Sequence, residues 1–117
     1  MSARVPVSIR QVQTAVKEFR DARAWKQFHS PKNLSMSIAI EAAELMEHFQ
    51  WLTTEQAAEL GRADPQASAA IQEELADVLI YCFSLADYLE CDVAEIIFDK
   101  LEKAGQKYPV EVYRGRF

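Results

Sequence analysis

Two long segments of this chain are apolar on almost every side of a helix, yet a line of polar and acidic residues runs along each. The segments cover about residues 34–52 and 68–89 and contain SIAIEAAELMEHFQW and EELADVLIYCFSLADYL. The 117 residues include only 3 Gly and 4 Pro, so long helices are permitted. A helix that is apolar nearly all round has to be sheltered on most sides. The chain is therefore constrained to a packed helical assembly.

Each of the two segments carries a pair of acidic residues spaced three apart. Glu41 and Glu44 form the pair in the first segment, and Glu74 and Asp77 form it in the second. Residues at this spacing are neighbours on one helix face. A carboxylate among apolar neighbours is costly unless a positive charge compensates it. Oxygen ligands favour Mg²⁺, with Mn²⁺ as a substitute, over zinc or copper, so the sequence predicts that these four residues bind Mg²⁺.

The acidic residues have two other interpretations, a di-iron site and solvated surface carboxylates. A carboxylate di-iron site requires Glu-x-x-His motifs, but the only histidines are His29 and His48, and His48 follows Glu44 by four residues. Solvated surface carboxylates are the commoner meaning of such spacings. The apolar neighbours of Asp77 disfavour that interpretation.

The periodicity predicts an all-α protein, a four-helix bundle in a single domain over residues 1–117. The connection at 53–66 is polar, with one short helical turn ending at Gly61, and a tail follows Tyr108. Two helices have apolar residues on two or more faces, so we expect homo-oligomerisation through helix packing. The predicted helices cover residues 9–25, 34–52, 68–89 and 92 to about 105.

Charge and hydropathy exclude several classes of partner. The net charge is −5 and the pI is about 5.0, which disfavours nucleic-acid binding because that needs a basic surface. No run of about 18 apolar residues is present, so no membrane association is expected. The N-terminal MSARVPVSIRQ lacks an apolar signal region, which predicts a cytoplasmic protein.

Basic and aromatic residues accompany the acidic lines. Mg²⁺ held by few protein ligands leaves positions for water and phosphate oxygens. Lysines 100, 103 and 107 recur at helical spacing and either contact phosphate or occupy a solvated helix C-terminus. Aromatic residues near the acids either stack on a nucleobase or pack in the core. These aromatic residues are Trp25, His29, Trp51 and Tyr81.

The order EAAEL, FQW, EELADVLIY and KYP, together with WKQFHSPKNL, resembles the MazG-like all-α nucleotide pyrophosphohydrolases, nearest the dCTP pyrophosphatase branch. The resemblance covers about Val12 to Pro109. It implies that the four acids bind Mg²⁺ and that a (deoxy)nucleoside triphosphate is hydrolysed between its α and β phosphates. The substrate would be dCTP or a modified pyrimidine nucleotide. Members are homodimers or homotetramers, and the implied cellular role is clearing noncanonical nucleotides.

The resemblance also implies roles for individual residues. Glu41 or Glu44 would orient or deprotonate the attacking water. Ala104 stands where the family often has Asn, and Val16 stands where a His is associated with dCTP selectivity. A non-catalytic helical interaction or nucleotide-binding module is the alternative function. The implied substrate-binding residues are Trp25, His29, Trp51, Tyr81, Lys100 and Tyr108.

Overall fold

The computed structural model of the protein describes residues 5–116, so residues 1–4 and 117 of the predicted domain lie outside the described range. Every regular element within that range is helical, which confirms the all-α prediction. Four of the helices, α1, α2, α4 and α5, correspond to the four predicted ones. The elements are α1 (Ile9–Ala22), a 3₁₀ helix (Trp25–Phe28), α2 (Pro31–Glu47), α3 (Thr54–Ala63), α4 (Pro65–Tyr88), α5 (Val93–Lys107) and α6 (Val110–Tyr113).

Side-chain caps fix where α1 and α5 begin. The Ser8 hydroxyl accepts a hydrogen bond from the Gln11 backbone N–H, and the Gln11 side chain accepts one from the Ser8 N–H. The Asp92 carboxylate accepts from the backbone N–H of Glu95. Each cap satisfies backbone donors that have no partner within the helix.

Both helices that carry the acidic pairs begin three residues earlier than predicted. Ser30 caps α2, and Asp64 caps α4. Pro31 and Pro65 then occupy the first helical turn. Proline is favoured there because its missing N–H would have no helical partner. The prolines therefore start these helices, whereas the sequence prediction placed them in the connectors.

The prediction of a polar connection at residues 53–66 with one short helical turn is wrong. The segment forms the ten-residue helix α3, which opens with a reciprocal cap between Thr53 and Gln56 and continues through Gly61. Helix α5 likewise runs past Gly105 to its end. A glycine inside a helix costs only about 1 kcal/mol relative to alanine, which good caps and packing offset.

Helix α4 is the central element of the described chain. Helix α2 lies along it, α1 and α3 also pack on it, and α5 packs against α1. The side chain of Gln13 on α1 donates to the Cys91 carbonyl and accepts from the Val93 N–H, which joins α1 to the start of α5. Leu34, Ala86 and Val93 are the buried apolar residues of this core.

Much apolar surface stays exposed in the single chain. Phe98 on α5, for example, is 71% exposed, and Ile97 and Leu101 on the same helix are also exposed. The Cα radius of gyration is 17.3 Å, whereas a compact chain of this length has about 13 Å. The protomer is therefore open. Among the described helices, none combines the length and apolar composition needed to cross a bilayer.

Leu34 is the best test of the core because it is only 1% exposed. We expect Leu34→Ala to lower the free energy of unfolding by about 2–5 kcal/mol, since it removes buried methyl groups and leaves a cavity. Urea unfolding followed by circular dichroism measures the change. Leu89→Ala removes the same atoms at a leucine that is 62% exposed, and should cost clearly less. Equal losses for the two variants would contradict the assigned core.

Candidate metal centre and adjoining cavity

Three carboxylates meet where α2 packs against α4. Glu41 and Glu44 lie one turn apart on α2, and Glu74 faces them from α4. One oxygen from each lies within 4.8 Å of the others. Ligand oxygens around an octahedral Mg²⁺ are about 3–4 Å apart, so small side-chain adjustments would suffice to bind one ion.

Among residues 5–116, no positively charged side chain forms an ion pair with the three carboxylates of this cluster. Oε2 of Glu41 and Oε2 of Glu74 are buried and have no hydrogen-bond partner among the described residues. Ionised carboxylate oxygens only accept hydrogen bonds, so a buried oxygen without a donor is costly unless a cation satisfies it. The cluster therefore fits a hard divalent cation bound through oxygen.

Crowding of like charges shows in the protonation of Glu41. Its pKa is raised from 4.5 to about 7, first because the protonated group can donate a hydrogen bond to Glu44, then by burial and by a similar contact with Glu74. The negative charges of Glu44 and Asp77 add to this effect. In the absence of metal, a proton on Glu41 thus relieves part of the repulsion between the carboxylates, which a bound cation would otherwise relieve.

Asp77, the fourth predicted ligand, lies one turn beyond Glu74 on α4. It is exposed, contrary to the sheltered position predicted from its apolar neighbours, and it is not part of the three-carboxylate cluster. Its charge nevertheless contributes to the raised pKa of Glu41, and its side chain lines an adjoining cavity. Its assignment as a metal ligand stays a prediction.

The adjoining cavity has a volume of about 240 Å³ and lies between α1, the 3₁₀ helix and α4. Three predicted substrate-binding residues, Trp25, His29 and Tyr81, line it together with Asp77. The structure therefore brings aromatic side chains next to the carboxylates, with Trp25 and His29 at the two ends of the 3₁₀ helix and Tyr81 on α4.

A left-handed residue directs Trp25 into this cavity. Ala24, between α1 and the 3₁₀ helix, has φ 53°, a conformation that costs an alanine about 1–2 kcal/mol. The Trp25 ring meets Phe19 edge to face at 5.9 Å, and the Arg23 guanidinium lies 3.7 Å from the centre of the Phe19 ring. These contacts hold the strained turn.

Local hydrogen bonds also fix His29. The Asn33 side chain donates to the Phe28 carbonyl just before it. The His29 ring lies 6.5 Å from that of Tyr81, and its Nδ1 is buried with no partner among the described residues. Burial, and then the positive charge of Arg20, lower the pKa of His29 below 6.5. The imidazole is therefore neutral at pH 7.

The remaining predicted substrate-binding residues lie outside the cavity of the single chain. Trp51 is 84% exposed in the turn after α2. Lys100 is exposed on α5. Tyr108 follows that helix and packs edge to face on Tyr113 at 5.1 Å. Their roles stay predictions.

Glu47 and His48 lie closer to the carboxylates than the sequence suggested. With Glu44 and Glu74 they line an open depression of about 470 Å³ on the other side of the cluster. Glu47 itself is exposed to solvent.

Arg20 is a cavity residue that the sequence analysis missed. It is 3% exposed and lines the cavity from α1. No local pattern marks it, because its partner Asp87 on α4 lies 67 residues away in the sequence.

The geometry can be set beside known proteins. The model of the MazG-like family matches residues 36–115, which include both helices of the carboxylate cluster. The chain belongs to the MazG-like family. This confirms the resemblance drawn from the sequence motifs.

Solved and curated relatives agree with this assignment. A pyrophosphatase from Archaeoglobus fulgidus is 37% identical and superimposes with a TM-score of 0.78, covering 93% of this chain and 99% of that one. The dCTP pyrophosphatase 1 proteins of Rattus norvegicus and Homo sapiens are 42% and 39% identical over 84% of this chain. The chain spans 57% of the length of these curated relatives.

Titration of Glu41 predicts a pH dependence of stability. Because its folded pKa is about 7 rather than 4.5, the metal-free folded state binds a proton more tightly than the unfolded state between these values. The stabilisation is complete below pH 4.5, and the free energy of unfolding falls as pH rises through 7. Thermal unfolding in EDTA across this range measures the fall.

Glu41→Gln is the matched control because its amide does not titrate, so its unfolding free energy should fall less with pH. Mg²⁺ competes with the proton, so it should raise the melting temperature of the original protein more at about pH 8 than at about pH 5.5. Identical pH profiles for the protein and Glu41→Gln would contradict the shared proton.

Proposed function

We propose that the protein hydrolyses a (deoxy)nucleoside triphosphate between the α and β phosphates, with Mg²⁺ as cofactor, giving the monophosphate and pyrophosphate. The observation that carries the proposal is a three-carboxylate cluster with buried, unpartnered oxygens directly beside an aromatic cavity. The names of its relatives support dCTP or a modified pyrimidine nucleotide as substrate.

The proposed metal ligands are Glu41, Glu44, Glu74 and Asp77. Bound Mg²⁺, or Mn²⁺ in its place, would neutralise phosphate charge and supply open positions for phosphate oxygens and water. Glu41 or Glu44 would orient or deprotonate the attacking water. The position of both glutamates in the carboxylate cluster supports this role, since a general base has to lie within reach of the water that it activates.

The proposed base site is the cavity beside the cluster. Trp25 and Tyr81 provide flat aromatic faces, and stacking on such faces is worth about 1–3 kcal/mol per base. Neutral His29 offers a ring nitrogen for hydrogen bonding without a repulsive or attractive charge. Asp77 joins the two regions because it lines the cavity and follows Glu74 by one turn.

We further propose that the protein works as a homodimer or homotetramer, in which Trp51, Lys100 and Tyr108 approach a site. The exposed apolar residues of α5 support this assembly, since several large side chains left in water would be costly. Lys100 lies among them on the same helix, so packing of α5 on another copy would bring its ammonium to new neighbours.

A cellular role in clearing noncanonical nucleotides or setting nucleotide pool sizes would follow from this reaction. The cytoplasmic location stays a prediction from the sequence.

The activity can be tested with each dNTP and Mg²⁺, with pyrophosphate release as the measurement. We expect Glu74→Gln to lower kcat/KM by at least about 100-fold. Loss of a ligand weakens the binding of a metal ion that stabilises the transition state by several kcal/mol. Glu73→Gln is the matched control, since Glu73 is the exposed neighbour outside the cluster. It should keep near-original activity.

Two results would overturn the proposal. One is folded protein that releases no pyrophosphate from any nucleotide. The other is calorimetry that detects no Mg²⁺ binding to the original protein, which would favour the interaction module over the enzyme.

Assembly is tested by sedimentation. We expect a particle of two or four times 13.3 kDa, and we expect Phe98→Asp to shift it toward the monomer because a charge in an apolar contact is strongly disfavoured. Glu102→Gln, at an exposed polar position on the same helix, should leave the mass unchanged. A monomeric original protein at micromolar concentration would contradict the proposed assembly.

A further inference from the structure

Arg20 is a fully charged side chain that is 3% exposed and that lines the wall of the proposed base cavity. We propose that Arg20 is a specificity-determining residue, which donates hydrogen bonds from its guanidinium to two adjacent acceptor atoms on the edge of the bound base. This inference rests on the proposed function in taking the cavity ligand to be a nucleotide base.

The guanidinium is only partly satisfied by the protein. Its Nε and Nη2 donate side-on to Oδ1 of Asp21, at 3.0 and 2.8 Å. Its Nη1 donates to Oδ2 of Asp87 at 2.6 Å. A guanidinium has five N–H groups. One N–H on Nη1 and one on Nη2 therefore have no partner among residues 5–116.

The two aspartates also fix the orientation of this group. Asp21 is the next residue on α1, while Asp87 is on α4, so the side chain is held from both walls of the helix pair. A planar donor that is already immobilised loses little freedom when it binds a ligand. A flexible surface lysine would lack this advantage.

The remaining donors favour one class of base edge. Two N–H groups of one guanidinium match two adjacent acceptors, as in the pairing of arginine with O6 and N7 of guanine. Cytosine presents O2 and N3 side by side in the same way. Thymine and uracil have an N–H between their carbonyl groups, and adenine has no carbonyl oxygen. The expected ligands are therefore nucleotides of cytosine or guanine.

The neighbouring cavity residues are compatible with this selection. The Ser84 hydroxyl is buried and donates to the Ile80 carbonyl, so only its oxygen lone pairs are left to accept from an amino group. Both cytosine and guanine carry an exocyclic amino group. Donor and acceptor groups thus face one cavity from α1 and α4.

The test is titration calorimetry of the 117-residue protein with dCMP, dGMP, dTMP and dAMP. We expect the original protein to prefer dCMP or dGMP. Arg20→Lys keeps the positive charge and a partner for Asp87, but it lacks the paired N–H donors of the guanidinium. It should weaken binding of the preferred nucleotide about 10- to 100-fold, the range for a hydrogen bond from a charged group. Binding of dTMP and dAMP should change by no more than about threefold.

Two further variants separate recognition from folding. Asp87→Asn leaves Arg20 in place but weakens its anchor, and should also reduce the preference. Arg10→Met removes the other arginine–aspartate pair of α1, made with Asp92, away from the cavity. It should leave the preference unchanged, and circular dichroism checks that all variants remain helical.

Equal weakening of all four nucleotides by Arg20→Lys, an unchanged preference, or no binding of any monophosphate by the original protein would overturn the inference. Pyrophosphate release is measured separately. An original protein that releases none but shows Arg20-dependent preference would end the proposed hydrolysis alone. Hydrolysis with the same base preference in Arg20→Lys would end the inference alone.

Discussion

The packing of α2 against α4 is the contact on which the rest of the structure depends. It places Glu41 and Glu44 opposite Glu74, a juxtaposition of like charges that the fold alone would disfavour. The apolar faces of both helices supply the compensating burial. The charge is partly relieved by a proton on Glu41, and a divalent cation would relieve it more completely. Site and core are thus built by the same helix pair.

The open shape of the protomer has a related cause. Helices α2 and α4 bury part of their apolar surface against each other, and α5 packs mainly on α1. Ile97 and Phe98 on α5 therefore remain exposed to solvent in the described chain. A chain of 117 residues is too short for its helices to cover every apolar face of one another. The proposed assembly with further copies would cover these apolar faces.

How far the sequence predicts this structure depends on the range of the interaction. Spacing of three within a helix is local, so the pairing of Glu41 with Glu44 could be anticipated. The placement of Trp25 and Tyr81 around one cavity needs tertiary packing, and a common substrate site for them was predicted only through a family resemblance. Helix α3 was missed because its polar composition hides a cap that Thr53 and Gln56 form together. Arg20 was missed because its partner lies 67 residues away.

Helix α4 would link base recognition to the proposed hydrolysis, because it carries residues of both the carboxylate cluster and the cavity. Glu74 belongs to the carboxylate cluster, whereas Asp77, Tyr81 and Ser84 follow at intervals of three or four residues along the cavity. On a rigid helix each turn adds about 5.4 Å, so the separation between the metal centre and each cavity contact is fixed by backbone geometry. A base seated beside Tyr81 would hold its phosphates at a set distance from Glu74. Sequence changes in the cavity wall can therefore alter which base is read without moving the carboxylates.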